Sequence, residues 1–133
     1  MKVEHYREVE PLPVEGIEEA TAGLTIRRLI SEVDGATEFT MDVFEIEPDG
    51  HSAFHDHPWE HQIFVLSGEG TLVGSEGPIP FKQGDVIFIA PDEPHQFVND
   101  GEVLVEFVCL IPKAALTAYY IGRAAERSAR DEQ

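Results

Sequence analysis

Basic residues and sulfur are both scarce in this chain. Lysine and arginine together number 9, against 26 aspartates and glutamates, and the formal net charge is −17. A field of that sign repels phosphate backbones and anionic lipid surfaces, which argues against nucleic acid and membranes as partners. The three lysines (Lys2, Lys82, Lys113) give an acid-rich surface that suits an ordinary soluble protein. A single cysteine, Cys109, leaves no intramolecular disulfide to form and makes a reducing compartment the expectation. No apolar run reaches the roughly 20 residues of a membrane-spanning helix. The opening MKVEHYREVEP lacks the cationic-then-apolar order of a secretion signal. A cytoplasmic protein is expected, and 133 residues suffice for one domain with one core.

What the chain does contain is a series of short apolar segments separated by turn chemistry. TIRRLI (25–30), TMDVFEIE (40–47), HQIFVL (61–66), GTLVG (70–74), DVIFIA (85–90), HQFV (95–98) and EVLVEFVCLI (102–111) read as strands, rich in β-branched and aromatic residues. The breaks PDG (48–50), SGEG (67–70), SEGP (75–78), QG (83–84), PDEP (91–94) and NDG (99–101) each carry glycine or proline. Many short strands at regular spacing predict an all-β sandwich or barrel. The expected division is an arm with edge strands over 1–35, a barrel core over 36–112 and a helical tail over 113–133. In that tail Leu116, Tyr119 and Tyr120 share one face, and Arg123, Arg127 and Arg130 follow at helical spacing.

Three of the six histidines fall within HDHPWEH, residues 55–61. On a strand, His55 and His57 face the same way about 7 Å apart, close enough to converge on one ion. His57 and His61 have the spacing of a helical metal pair, but Pro58 forces His57 into extended backbone and rules that version out. The strand is therefore expected to end near His57, turn through Pro58–Trp59 and resume around Glu60. His95 opens another predicted strand, and a barrel would bring it alongside the others. His51 shares strand parity with His55 but belongs at the mouth of the loop, and His5 carries no signal.

Two patterns here resemble the motifs of the cupin family. Gly50, then His55-x-His57, three residues, His61, six residues and Gly68 is similar to the first motif. Gly84, Pro91 and His95-x-x-x-Asn99 are similar to the second, and the likeness runs from about residue 38 to 112. The glycine before the first histidine is one residue closer than usual, and the Pro91–His95 segment is one shorter. The resemblance implies a double-stranded β-helix, or jelly-roll barrel, holding one divalent metal ion. It implies four ligands, His55, His57, His61 and His95, because the count to Gly68 puts His61 where the family usually has glutamate. HPWEH with a later PxExH resembles a four-histidine subgroup of small one-domain cupins that often bind manganese.

Four neutral ligands leave the ion's charge uncompensated and two octahedral positions open for an anionic or bidentate molecule. Imidazole ligands suit Fe, Ni, Cu and Zn, and manganese enters by resemblance, so Mn or Fe is expected, with Zn, Ni or Cu as alternatives. Glu60 and Gln62, and less so Asp56, are candidates to hydrogen-bond the ligand rings. Phe107, Cys109 and Ile111 alternate onto one face with Val105, and together with Phe97 are candidates for the pocket wall. Cys109 fits wall or inert core equally, and Arg28 or Arg27 is a candidate anchor for a substrate carboxylate. An amidohydrolase also uses His-x-His, but its barrel needs about 250 residues. The leading expectation is a metal-dependent, oxygenase-type enzyme acting on a small oxygen-rich molecule. The alternatives are an isomerase, decarboxylase or lyase using the metal as Lewis acid, with Glu106 or a water on the ion as base, or a non-catalytic small-molecule-binding module. HQIFVL and DVIFIA are apolar on both faces, which points to a homodimer.

Overall fold

The computed structural model describes residues 1–14 and 21–114. The helical tail expected from residue 113 lies outside them, apart from Lys113 and Ala114. Nine strands form: β1 (Leu12–Pro13), β2 (Ala22–Ile30), β3 (Phe39–His51), β4 (His61–Ser67), β5 (Glu69–Gly74), β6 (Gly77–Lys82), β7 (Val86–Ile89), β8 (His95–Val98) and β9 (Val105–Pro112). All pairings are antiparallel, in the order β6-β5-β8-β3-β9-β4-β7, with β2 on β3 and β1 on β2. The sheet curls on itself, so the predicted all-β jelly-roll architecture is what the chain adopts.

β3 is the longest strand because both its faces are covered. Thr40, Asp42 and Ile46 are buried on one face and Val43 and Glu45 on the other, so TMDVFEI lacks the usual alternation. The N-terminal arm covers the second face. Arg27 pairs with Glu45 and also donates to the carbonyls of Arg7 and Val9, while Arg7 reaches buried Glu106 on β9. PDG does not break the strand as expected: Asp49 takes a left-handed φ of 67° and the chain continues to His51.

β6, GPIPFK, went unread in the sequence because two prolines in six residues argue against a strand. It forms at one end of the sheet order, where the ring nitrogens of Pro78 and Pro80 face away from β5 and cost no ladder bond. The motif residues outside the histidines have structural causes. A Cβ on Gly68 would sit 2.6 Å from the Leu104 carbonyl oxygen, at a φ of +85°. Asn99 is fully buried; its amide donates to the Ile46 and Val103 carbonyls and its oxygen accepts from Gly101 N.

One buried group strains this arrangement. Asp42 is 1% exposed, and among the described residues neither carboxylate oxygen has a hydrogen-bond partner. Arg28, opposite it on β2, approaches only to 3.6 Å. Burial pushes the Asp42 pKa up to about 6 against the pull of Arg28. Both folded and unfolded chains are protonated below pH 3.8. Between there and about 6 only the unfolded chain releases the proton, so Asp42 lowers stability progressively across that window and fully above it. Urea titrations should show the stability difference, D42N minus wild type, growing by on the order of 1–3 kcal/mol between pH 4 and 7.5; a difference independent of pH would refute this.

Candidate metal centre

The histidines reach one point by three different routes. His61 is the first residue of β4 and faces inward, with exposed Gln62 next to it. His95 is the first residue of β8. His55 and His57 stand on no regular strand, since β3 ends at His51 rather than near His57. His55 is instead held by a two-way backbone pairing with His95, 3.1 Å from His55 N to His95 O and 2.9 Å in return. His57 is fixed through its ring, which stacks on Trp59 at 4.1 Å between centroids and 7° between planes. The Pro58 turn thus places the chain's one tryptophan against a histidine, a role that spacing alone does not reveal.

All four rings meet. Centroid separations are 5.2 Å for His55–His57, 4.9 Å for His55–His95, 4.5 Å for His57–His61, 5.0 Å for His57–His95 and 5.3 Å for His61–His95. Nitrogens of His55, His57 and His95 lie within 4.8 Å of one another. His61 stands slightly apart from this group, with its Nε2 2.8 Å from the Nε2 of His57 and its Nδ1 2.9 Å from Cys109 Sγ.

The protons follow from the partners. His57 Nδ1 lies 2.9 Å from the Trp59 carbonyl and His95 Nδ1 2.8 Å from the Glu93 carbonyl, and a carbonyl only accepts. Both rings therefore carry hydrogen on Nδ1 and present a bare Nε2 inward. Burial holds His57, His61 and His95 in the neutral form, pushing His61 down to about 2 with help from the neighbouring histidines. With His57 Nε2 bare, His61 must donate to it from its own Nε2, which leaves His61 Nδ1 to accept from the Cys109 thiol. Burial, reinforced by Asp42, pushes that thiol's pKa up and keeps it protonated. His95 Nε2 is buried with no hydrogen-bond partner among the described residues. Neutral, inward-facing imidazole nitrogens, one of them orphaned, fit a divalent transition-metal ion.

The cavity around them is apolar. Its walls include Phe44, Trp59, Phe97, Phe107, Cys109 and Ile111, with Val14, Leu24 and Ile26 from the N-terminal segments. Phe97, Phe107, Cys109 and Ile111 were read from strand alternation. Val14, Leu24 and Ile26 were not: Val14 lies just beyond β1, and Leu24 and Ile26 belong to a segment read as edge strand rather than pocket wall. Val105 has the same parity but lies in the core rather than the cavity lining. Arg28 does not line the cavity either, and its guanidinium faces Asp42. Glu60 and Gln62 bond each other at 2.9 Å on the exposed side, and the ring nitrogens take backbone carbonyls and sulfur as partners instead. Glu106 points to the opposite face of β9, toward Arg7 and Ser67, away from any substrate. His51 bonds the Ser52 carbonyl and stays outside the cluster, and His5 accepts from Arg7 N at a turn.

Comparison with known proteins agrees with this architecture. An oxalate-binding protein of Thermotoga maritima is 32% identical over 68 residues, 50% of this chain and 56% of that one. An uncharacterized protein of Methanocaldococcus jannaschii is 32% identical over 56 residues, 41% of this chain and 45% of that one. The chain spans about half the length of these curated relatives. Among solved structures, the polyketide cyclase RemF from Streptomyces resistomycificus is 34% identical with a TM-score of 0.79, covering 84% of this chain and 79% of its own. A predicted oxalate decarboxylase of Thermotoga maritima has a TM-score of 0.71 over 84% of this chain and 99% of its own, and at 22% identity it supports the fold alone. Residues 42–111, more than half of the chain and including all four converging histidines, match the cupin domain family, and the chain belongs to it.

Proposed function

We propose that this cupin is a metal-dependent enzyme that binds one divalent ion through His55, His57, His61 and His95 and promotes enolisation and ring closure of a small, flat, oxygen-rich substrate. The observation that carries this is the composition of the cavity: four imidazoles at one point, three of them held neutral by burial, and around them aromatic and aliphatic walls. Among the described residues lining it, the titratable groups are those histidines and Cys109. With no carboxylate or lysine to act as a strong base, the substrate must carry its own acidic C–H or O–H, as a β-dicarbonyl or a phenol does. Among the described residues, no lysine or arginine lines the cavity to select a carboxylate. Bound there, a divalent ion would supply Lewis-acid polarisation of a chelated pair of oxygens.

The protein's part is to orient and to exclude water. Phe97 and Phe107 lie 4.7 Å apart, and Phe44 stacks on Phe107 at 5.4 Å, which gives a flat molecule faces to pack on. The free volume of about 60 Å³ is a few waters' worth at roughly 10–15 Å³ each. A small molecule, or the reactive end of a longer one, therefore fits better than a bulky one. The likeness to a polyketide cyclase at 34% identity supports ring closure as the reaction type. Oxygenase chemistry is the second reading, favoured by a donor set of imidazoles alone, which suits redox-active Fe, with Mn entering by the family resemblance. The single thiol, buried in the barrel, is in keeping with a cytoplasmic setting.

Purified protein should retain about one divalent ion through gel filtration, and H57A or H95A should lose it; an unchanged metal content in both would count against these ligands. In deuterated buffer the loaded protein should exchange the central C–H of small β-dicarbonyls well above the metal-free rate, without consuming oxygen. Oxygen uptake without exchange would favour the oxygenase, and neither result across a broad panel would leave the binding module.

We also propose a homodimer. Phe64 of β4 and Val86 and Phe88 of β7 are exposed on the outer face, and the depression they border is lined by uncharged residues. In a chain of net charge −17, such a face is where two copies repel least. Light scattering should report twice the chain mass for wild type and a monomer for F64E; a monomeric wild type would refute it.

A further inference from the structure

The Cys109–His61 contact does not match what a metal ligand requires. As the protons stand, His61 carries its hydrogen on Nε2 and accepts from the thiol at Nδ1, 2.9 Å away. A ring in that tautomer has no lone pair on Nε2 to offer. For His61 to join the other three histidines its hydrogen must sit on Nδ1, and the sulfur must then accept it. The thiol cannot keep its own hydrogen on that same line and has to turn it elsewhere.

Two acceptors are near enough to take it. The Leu110 carbonyl lies 4.0 Å from Sγ, at the limit of a sulfur hydrogen bond. Asp42 is the direct cross-strand partner of Cys109 in the β3–β9 ladder, on the same inward face. Side chains in that relation have Cβ atoms about 4.5–5.5 Å apart, so rotation about the Cβ–Sγ bond, which leaves the sulfur in place against His61, turns S–H toward the carboxylate. Both Asp42 oxygens are buried without a hydrogen-bond donor among the described residues. An unsatisfied buried acceptor beside a hydrogen that must move is the stronger candidate.

We infer that Cys109 and Asp42 form a polarity latch for His61: sulfur donates to His61 Nδ1 when no ion is held, and accepts from it while donating to Asp42 when one is. The inference rests on the reading of the four histidines as ligands. Protons balance within the chain. The His61 hydrogen passes from Nε2 to Nδ1, the thiol hydrogen turns from nitrogen to carboxylate, and no net proton is released by this set. Cys109 is thus a positioning residue for His61, and Asp42, a carboxylate on the inner face with no hydrogen-bond donor among the described residues, is the second home for the thiol hydrogen.

Because Cys109 is the chain's one cysteine, its S–H stretching band in the infrared is assignable without labelling. Zinc, diamagnetic and redox-inert, is the probe. Adding one equivalent of Zn(II) to metal-free wild type should shift the band. D42N should leave the metal-free band in place and move the zinc-loaded one toward the frequency of a weakly bonded thiol. Zinc affinity, measured by competition with a chromophoric chelator, should fall about 10–100-fold in C109A, which leaves Nδ1–H without its acceptor, and recover to within a few-fold of wild type in C109S. An S–H band unmoved by bound zinc, or a loaded band unaffected by D42N, overturns the latch while leaving the metal site intact. Equal affinity in C109A and wild type overturns the positioning role. Failure of wild type to take up zinc, manganese or iron at all would instead overturn the metal reading on which the latch rests.

Discussion

The backbone pairing of His55 with His95 is the constraint on which the site depends. It consists of two hydrogen bonds outside any regular strand, yet it ties the irregular stretch after β3 to the start of β8. Two further bonds hold the same segment: Asp92 N–H donates to the His57 carbonyl at 2.7 Å and Ser52 N–H to the Phe97 carbonyl at 2.9 Å. Around it, the other anchors act on individual rings: the Trp59 carbonyl and indole for His57, the Glu93 carbonyl for His95, and Cys109 for His61. Backbone carbonyls are well suited to this task, because they cannot titrate and can only accept. Each therefore fixes a tautomer whatever the pH.

Much of this was legible in the sequence, for identifiable reasons. Set against the cupin motif that the chain resembles, the count of six residues to Gly68 picks His61 over Glu60, and the structure buries His61 while leaving Glu60 half-exposed. Strand alternation found Phe97, Phe107, Cys109 and Ile111 because β9 and β8 have one clear inner face. It overreached at Val105, since parity says which face a residue occupies and not how far along the barrel the cavity extends; Arg28, a candidate anchor on charge alone, faces Asp42 instead. The partners of the ring nitrogens were missed because backbone carbonyls leave no mark on a sequence, whereas Glu60 and Gln62 look like acceptors on paper. β6 was missed because proline is a reliable strand breaker only where both neighbours are present.

The interior combines two electrostatic habits that ordinarily conflict. Burial holds His57, His61 and His95 neutral, which favours ligation, while Asp42 carries a charge into the same wall with the Arg28 guanidinium 3.6 Å away. A purely structural interior would replace that aspartate with an apolar residue of similar size. Retaining it keeps an acceptor close to the one thiol, and concentrates the barrel's least comfortable group where a small change in hydrogen bonding would be felt by a candidate ligand.

The prolines of β6 have a bearing beyond their tolerance at a margin. Pro78 and Pro80 turn two donor-less nitrogens outward from the end of the sheet. A strand from another chain arriving there finds no amide hydrogens at those positions to grip. Growth of the sheet by strand addition, the route toward fibrous polymers, is therefore blunted on that side by covalent chemistry alone. The pairing of two copies proposed above would use the uncharged outer face of β4 and β7 instead, well away from this margin in the order of the sheet.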